Sequence, residues 1–522
     1  MSQHYQSIII GAGHNGLVCA AYLARAGNSV LVLDANGWLG GAASTQSFYP
    51  GFRLSRVAHL LHALPQNLIS ELQLHQHGLQ FASSNMATYA LSTQRLPLRL
   101  HNGHIENLPD EYAQDQVRYH AFVKQMNRFA AVIQSLNSKM PSRVIPATWR
   151  ERLDLLRVGL KLRLLGRRDM REFLRIAGMN VYDLLEERFQ SPELKGALAL
   201  DATLGAEHGP RSPGTVLNYL HRWAGLRNAG SNGIAQVSGG MGALSEAVAL
   251  SAKHAGTEIR LNTAVKRILV ESDRAVGVEL ENGEQIYANQ VVSNADPKTS
   301  YLNLLGPRHL DTEFVRRIKH YRCKGLTAKL HLALNSLPTF SQLPVAALSQ
   351  RLIIAPSLDY VEQAFNPSKY GELPPEPVLE ITLPSVADSS LAPCGQHVLS
   401  AIVQYVPYEL REAPAEIKKQ FVGQLLALLE RYAPGISAQV IHAELLLPAD
   451  LEQQFHLHGG HWHHGALTFD QFFFTRPIPG AAQYQSPVAG FYLCGAGNHP
   501  GGGVMGIAGQ LAARRILANP LA

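Results

Sequence analysis

A glycine triplet near the amino terminus limits this chain more than any other feature. Ser7-Ile8-Ile9-Ile10 is a short apolar run ending in Gly11-Ala12-Gly13-His14-Asn15-Gly16, and from Leu17 to Ala26 apolar residues recur at helical spacing until Gly27. A second apolar run, Ser29-Val30-Leu31-Val32-Leu33, closes on Asp34, 23 residues after Gly11. Strand, tight turn, helix, strand and terminal acid form a dinucleotide-binding fingerprint. Gly11 allows the turn, Gly13 lets the backbone approach a pyrophosphate, and Gly16 lets helix and strand pack closely. The helix start offers unpaired N–H groups and a partial positive charge to phosphate. Asp34 can accept hydrogen bonds from ribose hydroxyls. Gly11, Ala12, Gly13, Asn15, Gly16 and Asp34 are therefore candidate cofactor-binding residues.

The remaining length needs further structure. A chain of 522 residues exceeds what one core organises, so at least two domains are expected, and 46% hydrophobic against 16% charged residues describes a globular enzyme. Two later segments echo the first. Val237-Ser238-Gly239-Gly240-Met241-Gly242-Ala243-Leu244 opens a helix. Glu258 to Leu261, Val265 to Val270, Arg274 to Leu280 and Gln285 to Ser293 then read as strands, with Glu281-Asn282-Gly283-Glu284 as a hairpin turn. In the tail, the apolar strand Gly490 to Cys494 runs into Gly495-Ala496-Gly497-Asn498-His499-Pro500-Gly501-Gly502-Gly503-Val504-Met505-Gly506, followed by a helix from Ile507 to Leu517. A glycine-rich loop between a buried strand and an apolar helix is a second place where a helix start can face an electron-rich ligand. Gly495, Gly503 and Val504 join the candidates.

These segments, with the second glycine doublet Gly40-Gly41-Ala42 soon after Asp34, resemble the phytoene desaturase-related flavoproteins. The tail from Gly459 to Gly506, with His464-Gly465-Ala466, Asp470-Gln471, Arg476-Pro477 and Tyr492-Leu493-Cys494-Gly495, resembles the branch named for a pyridine nucleotide-disulfide oxidoreductase domain. Ser191 to Lys195 and Gly209 to Gly214 add to it, so the resemblance spans nearly the whole chain. It implies FAD as cofactor, Gly40, Gly41 and Ala42 beside its ribityl and pyrophosphate portion, and Val265 meeting the adenine through its backbone. It also implies hydride transfer between a lipophilic substrate and the flavin, with electrons passed to oxygen or a quinone. The fold implied is α/β, a Rossmann-type FAD domain assembled from 1–70, 232–300 and 485–522, with an interleaved α+β substrate domain from 71–231 and 301–484. Two rivals stay open at this point: a redox-neutral flavin-dependent isomerase, and a non-enzymatic binding protein of the GDP-dissociation-inhibitor type.

Disulfide chemistry does not follow from the branch name. Cys19, Cys323, Cys394 and Cys494 lie far apart, with no C-x-x-C pair, which also points to a reducing, cytoplasmic setting. The polar residues Met1 to Ser7 leave no room for a secretory leader, and no stretch reaches the roughly 20 apolar residues of a spanning helix. A second strand-turn-helix with spaced glycines and an acid is also absent from the sequence, so no NAD(P)H domain is expected.

Three constellations keep alternative readings. His456, His458, His461, His463 and His464 crowd into nine residues without a carboxylate or cysteine at ligand spacing. No metal site is assigned; they read as pocket-lining or surface residues, or as one catalytic histidine. His464 and His499 are the catalytic candidates. From Arg150 to Arg175 there are nine Lys/Arg against four Asp/Glu, which leaves about +1 of the formal +6 for the rest of the chain and excludes a broad nucleic-acid face. Leu153, Leu156, Leu160 and Leu164 recur beneath these charges, so the stretch is either a peripheral membrane contact or a helix with a solvated basic face. Phe472-Phe473-Phe474 reads either as cavity wall or as ordinary core.

Overall fold

The isoleucine run becomes the centre of a parallel sheet. The computed structural model describes residues 4–143, 149–411 and 414–519, so the outermost ends of the expected segments, 1–3 and 520–522, lie outside the described residues. Strand His4–Ile10 lies between Val30–Leu33 and Gln285–Ser293, parallel to both. Ile8 and Ile9 have lost all solvent exposure, as a strand covered on both faces must. Glu258–Arg260 extends the sheet beyond Val30–Leu33, and Phe491–Leu493 joins Gln285–Ser293 on the other side. Register pairs Ile10 with Leu33 and Ser293, and Ser293 with Leu493. Gly11, Asp34, Asn294 and Cys494 therefore follow the carboxyl ends of four strands along one edge, where open α/β sheets bind ligands. Val265–Glu271 and Arg274–Leu280 form an antiparallel hairpin on the same sheet.

Three helices share an apolar core beside this sheet: His14–Arg25, Met241–His254 and Ile507–Ala518. The tail helix approaches the first so closely that a Cβ at Gly509 would lie 2.1 Å from the Asn15 carbonyl oxygen. The Gly239-Gly240 turn is equally specific. With Gly240 at φ +77°, the Thr45 and Ser55 hydroxyls accept from the Gly242 and Met241 amides at 2.8 and 2.9 Å, capping Met241–His254 from a distant segment. The core continues past residue 70 through Leu72, Leu74 and Leu79.

A second sheet has eight strands in the order Val440–Leu446, Thr327–Leu334, His397–Gln404, Val378–Thr382, Arg351–Ile354, Thr88–Ala90, Leu98–His101 and His104–Glu106. Its neighbours run antiparallel except Arg351–Ile354 against Thr88–Ala90. Helices Gln114–Asn137, Val181–Arg188, Pro192–Thr203 and Thr215–Asn228 pack around a common core on it. Among the described residues no helix is long and apolar enough to cross a membrane.

Candidate active site

The glycine loop is built as its spacing requires. Gly11 adopts φ +99°, a conformation that strains any L side chain. A Cβ at Gly13 would lie 2.5 Å from Asn294 Nδ2, and one at Gly16 would lie 2.2 Å from the Gly11 carbonyl oxygen. Helix His14–Arg25 begins with no side-chain cap, so its leading N–H groups are left for a ligand. Asp34 stands beside them, its Oδ2 accepting from the Ala12 amide at 2.6 Å and its Oδ1 from the Asn36 amide at 2.8 Å. Burial raises the Asp34 carboxyl above its ordinary range, and these two bonds oppose the rise.

An open cavity of about 1230 Å³ runs from Asp34 along this loop to Trp462, His464 and Ala496. Gly11, Gly13, Asn15, Gly40, Gly41, Ala42 and Val265 line it, as do His14, Asn36, Thr263, Glu281 and Asn294, which the motif did not single out. Asn294 and His14 were legible only as the residue after a parallel strand and as a variable position within the glycine motif. Ala12, Gly16 and Gly495 do not line it. Ala12 is fully buried, Gly16 packs on Gly11, and a Cβ at Gly495 would lie 2.6 Å from the Asn294 carbonyl oxygen. Their contribution is backbone packing beneath the loop.

A second chamber of about 1070 Å³ continues from the first. His14, Ala42, Trp462 and Ala496 belong to both. Gly503 and Val504 line the chamber, with Val57, Leu60, Ala202, Leu204, Ile402, Leu467 and Met505 as apolar wall. Phe472 to Phe474 and Pro500 are not in the lining. Phe472 is core, edge-on to His221, Phe473 lies beside His499, and Phe474 is exposed. Of the aromatic run, Phe472 packs against a wall residue, His221.

The chamber is not uniformly apolar. His59, His62, Asp201, Asn218, His221, Arg222, Glu380 and His463 also face it. Arg222 Nε lies 3.1 Å from Asp201, and His59 Nε2 lies 2.9 Å from Glu380. Arg351, fully buried behind them, reaches Glu380 at 2.5 Å, Asp201 at 2.7 Å and Thr88 at 3.1 Å. Burial pushes the Glu380 carboxyl up, but Arg351, His59 and Arg222 together hold it well below its ordinary value. The imidazoles are neutral: burial, with Arg222 second, lowers His62 to about 3, and burial, with Arg476 second, lowers His221 to about 4. His221 Nε2 and Asn218 Oδ1 have no protein partner.

The histidine cluster disperses. His456 and His464 line the first cavity, His463 lines the chamber, His458 lies within 3.5 Å of Glu452, and His461 is buried 3.8 Å from Glu207. His464 sits among His14 and Asp296; burial lowers its imidazole below the ordinary value, and Asp296 opposes the fall. His499, the other catalytic candidate, lines neither cavity; its Nε2 meets the Leu136 carbonyl at 3.1 Å. Arg476 holds the cluster in place. Fully buried, it donates to the carbonyls of His463, Gly465, Ala466, Gln471 and Ala496, tying the histidine loop to the glycine-rich tail. Cys494 borders both Cys19 and Asn294 inside the core, and burial raises its thiol far above the range of a reactive thiolate.

Residues 16–517 match the model of the family described as flavin containing amine oxidoreductase. The chain belongs to that family. Its cofactor is FAD, and the uncapped helix, the bare Gly13 backbone and the buried Asp34 carboxylate are the features such a dinucleotide needs. This flavoprotein is 35% identical to the pyridine nucleotide-disulfide oxidoreductase domain-containing protein 2 of Mus musculus, over 99% of this chain and 94% of that one. It is 25% identical to the lycopene-forming phytoene desaturase of Pseudescherichia vulneris, over 96% of both chains. Cyclohexylamine oxidase from Brevibacterium oxydans superimposes with a TM-score of 0.62 at 17% identity, over 98% of this chain and 99% of that one, a likeness of fold. The chain is thus a phytoene desaturase-related, FAD-dependent oxidoreductase, and the reading as a non-enzymatic binding protein falls away.

Proposed function

We propose that this oxidoreductase oxidises a mostly apolar small molecule carrying one neutral hydrogen-bonding group. The observation that carries the reading is the shared boundary of the two cavities at His14, Ala42, Trp462 and Ala496, which puts an apolar chamber directly beyond the nucleotide site. When bound, FAD supplies a two-electron acceptor for hydride transfer from a substrate C–H to its N5. We assign the pyrophosphate to Gly11 through Gly16, the ribose to Asp34, the adenine to the backbone at Val265, and the ring system to the side of Gly503 and Val504. Val57, Leu60, Leu204, Ile402 and Leu467 bury the substrate's carbon skeleton and exclude water, each buried CH₂ contributing about 0.8 kcal/mol.

The polar end of the chamber refines the substrate class. Asp201, Arg222, Glu380 and Arg351 already neutralise one another, so an ionic substrate would have to break a buried pair. A hydroxyl, carbonyl or uncharged amine needs only the unpartnered His221 and Asn218 atoms. His463 and His464, adjacent in sequence, line the chamber and the cavity beside Asp34 in turn, which supports assigning them to hold or move a proton. Electrons would leave to oxygen or a quinone.

The test is anaerobic bleaching of the flavin band by a panel of apolar alcohols, terpene alcohols included, set against amino acids and sugar phosphates. The reading expects reduction by the apolar group, with products lacking two hydrogens. An isomerised product with the flavin still oxidised would establish redox-neutral isomerisation instead. Faster reduction by the charged metabolites would overturn the substrate class.

A further inference from the structure

Helix Trp149–Leu164 presents its apolar stripe outward. Leu153, Leu156, Leu160 and Leu164 are spaced three, four and four residues apart, which puts them on one face. Their exposures are 37, 70, 58 and 73%, whereas Leu162, on the other side of the helix, packs against the core. At about 100° per residue, Arg152 and Arg163 flank the stripe on one side, and Arg157 and Lys161 on the other. A helix packed on its own protein shows the reverse order, with leucines inward and charges out.

The next helix, Arg167–Ala177, adds a second feature. Arg167, Arg168, Arg171, Arg175 and Arg188 line a surface basin with Glu172 and Gln125. The acids of this stretch are already engaged: Glu151 with Arg143, Asp154 with Arg157, Asp169 with Arg128, and Glu172 with Arg175 and Arg188. Among the described residues no carboxylate lies within ion-pair distance of Arg152, Lys161, Arg163, Arg167, Arg168 or Arg171.

We infer that Trp149–Leu164 and Arg167–Ala177 form a docking surface for an anionic phospholipid bilayer. The exposed leucines enter the boundary between headgroups and acyl chains, the flanking cations meet lipid phosphates, and the arginine basin takes up headgroups beside them. Charge selects this occupant over a second copy of the chain, because two such faces would bring net charges of the same sign together. The exposed leucines select it over a nucleic acid, whose phosphates offer them nothing.

The experiment is vesicle flotation of the holoprotein, with phosphatidylcholine alone and with roughly a third phosphatidylserine added. The bound fraction should rise about tenfold or more on the anionic vesicles and collapse at about 1 M salt, where screening acts over about 3 Å. Leu156→Glu with Leu160→Glu should abolish binding, and Arg167→Glu with Arg168→Glu should lower it, while flavin absorbance and melting temperature stay at parental values. Absence of binding to anionic vesicles, equal binding to both vesicle types, or unchanged binding of the leucine variant would each overturn the inference. So would a dimer dissociated by Leu156→Glu with Leu160→Glu in protein that floats with neither vesicle, which would make this face a self-association surface. Flotation is read without turnover and does not depend on the substrate class.

Discussion

Asp34→Asn isolates what the carboxylate contributes beyond its shape. In the parent, both oxygens accept backbone N–H bonds at 2.6 and 2.8 Å, from Ala12 and Asn36. The amide keeps one acceptor and turns an NH₂ group toward the other donor. Ala12 is fully buried, so if its N–H is the one orphaned, the protein without ligand should lose about 1–3 kcal/mol of stability. Loss of charge-assisted hydrogen bonds to the ribose should cost FAD binding a further 1.5–3 kcal/mol or so, roughly a 10- to 150-fold rise in Kd. Apoprotein titrated with FAD by calorimetry gives the second quantity, and thermal unfolding of the apoprotein the first. Burial raises this carboxyl, so parental FAD affinity should also fall on acidification, while that of Asp34→Asn stays flat over the same range. An FAD Kd within twofold of the parent's at neutral pH would refute the assignment of Asp34 to the ribose.

Four further outcomes are expected. Arg351→Met removes the buried cation shared by Glu380 and Asp201, and urea unfolding should show a loss of about 3–5 kcal/mol. Burial raises the Glu207 carboxyl from 4.5 to about 7, so the folded protein holds this proton more tightly than the unfolded chain. That contribution to stability is complete below pH 4.5 and is lost as pH rises through 7. Glu207→Gln should therefore match the parent in urea unfolding at about pH 4.5 and exceed it by up to about 3 kcal/mol at about pH 8. Arg476→Lys cannot reproduce the guanidinium's five carbonyl contacts; retained flavin per protein, read from absorbance, should fall, and unchanged occupancy would show that the histidine loop holds without it. NADH and NADPH should bleach the flavin slowly or not at all in stopped flow, since the second sheet is largely antiparallel and, among the described residues, offers no dinucleotide crossover.

The nucleotide half of the site was legible because its rules are local. Gly11 needs a positive φ, Gly13 must leave space beside the loop, and Asp34 must end the next strand; all three demands fall on neighbouring residues and leave a fixed spacing. The tail strand and helix were readable for the same reason. The chamber was not. Asp201, Arg222, Arg351 and Glu380 come from two helices and two strands as far as 179 residues apart, and no spacing announces that their charges will cancel against one cavity. His464, Phe472 to Phe474 and His499 share one glycine-rich stretch, yet His464 lines the cavity beside Asp34, Phe472 enters the core and His499 turns to Leu136. The leucine stripe of Trp149–Leu164 was visible in sequence, but a helical period is the same whether its apolar face points inward or outward. The sequence by itself determined the parallel sheet, its glycine turn and the acid that ends its second strand, because backbone conformation is set by residues in direct succession. Which side chains meet across the chamber, and which face of a helix meets solvent, only the tertiary structure decided, because those contacts depend on the packing of segments that the chain brings together from hundreds of residues apart.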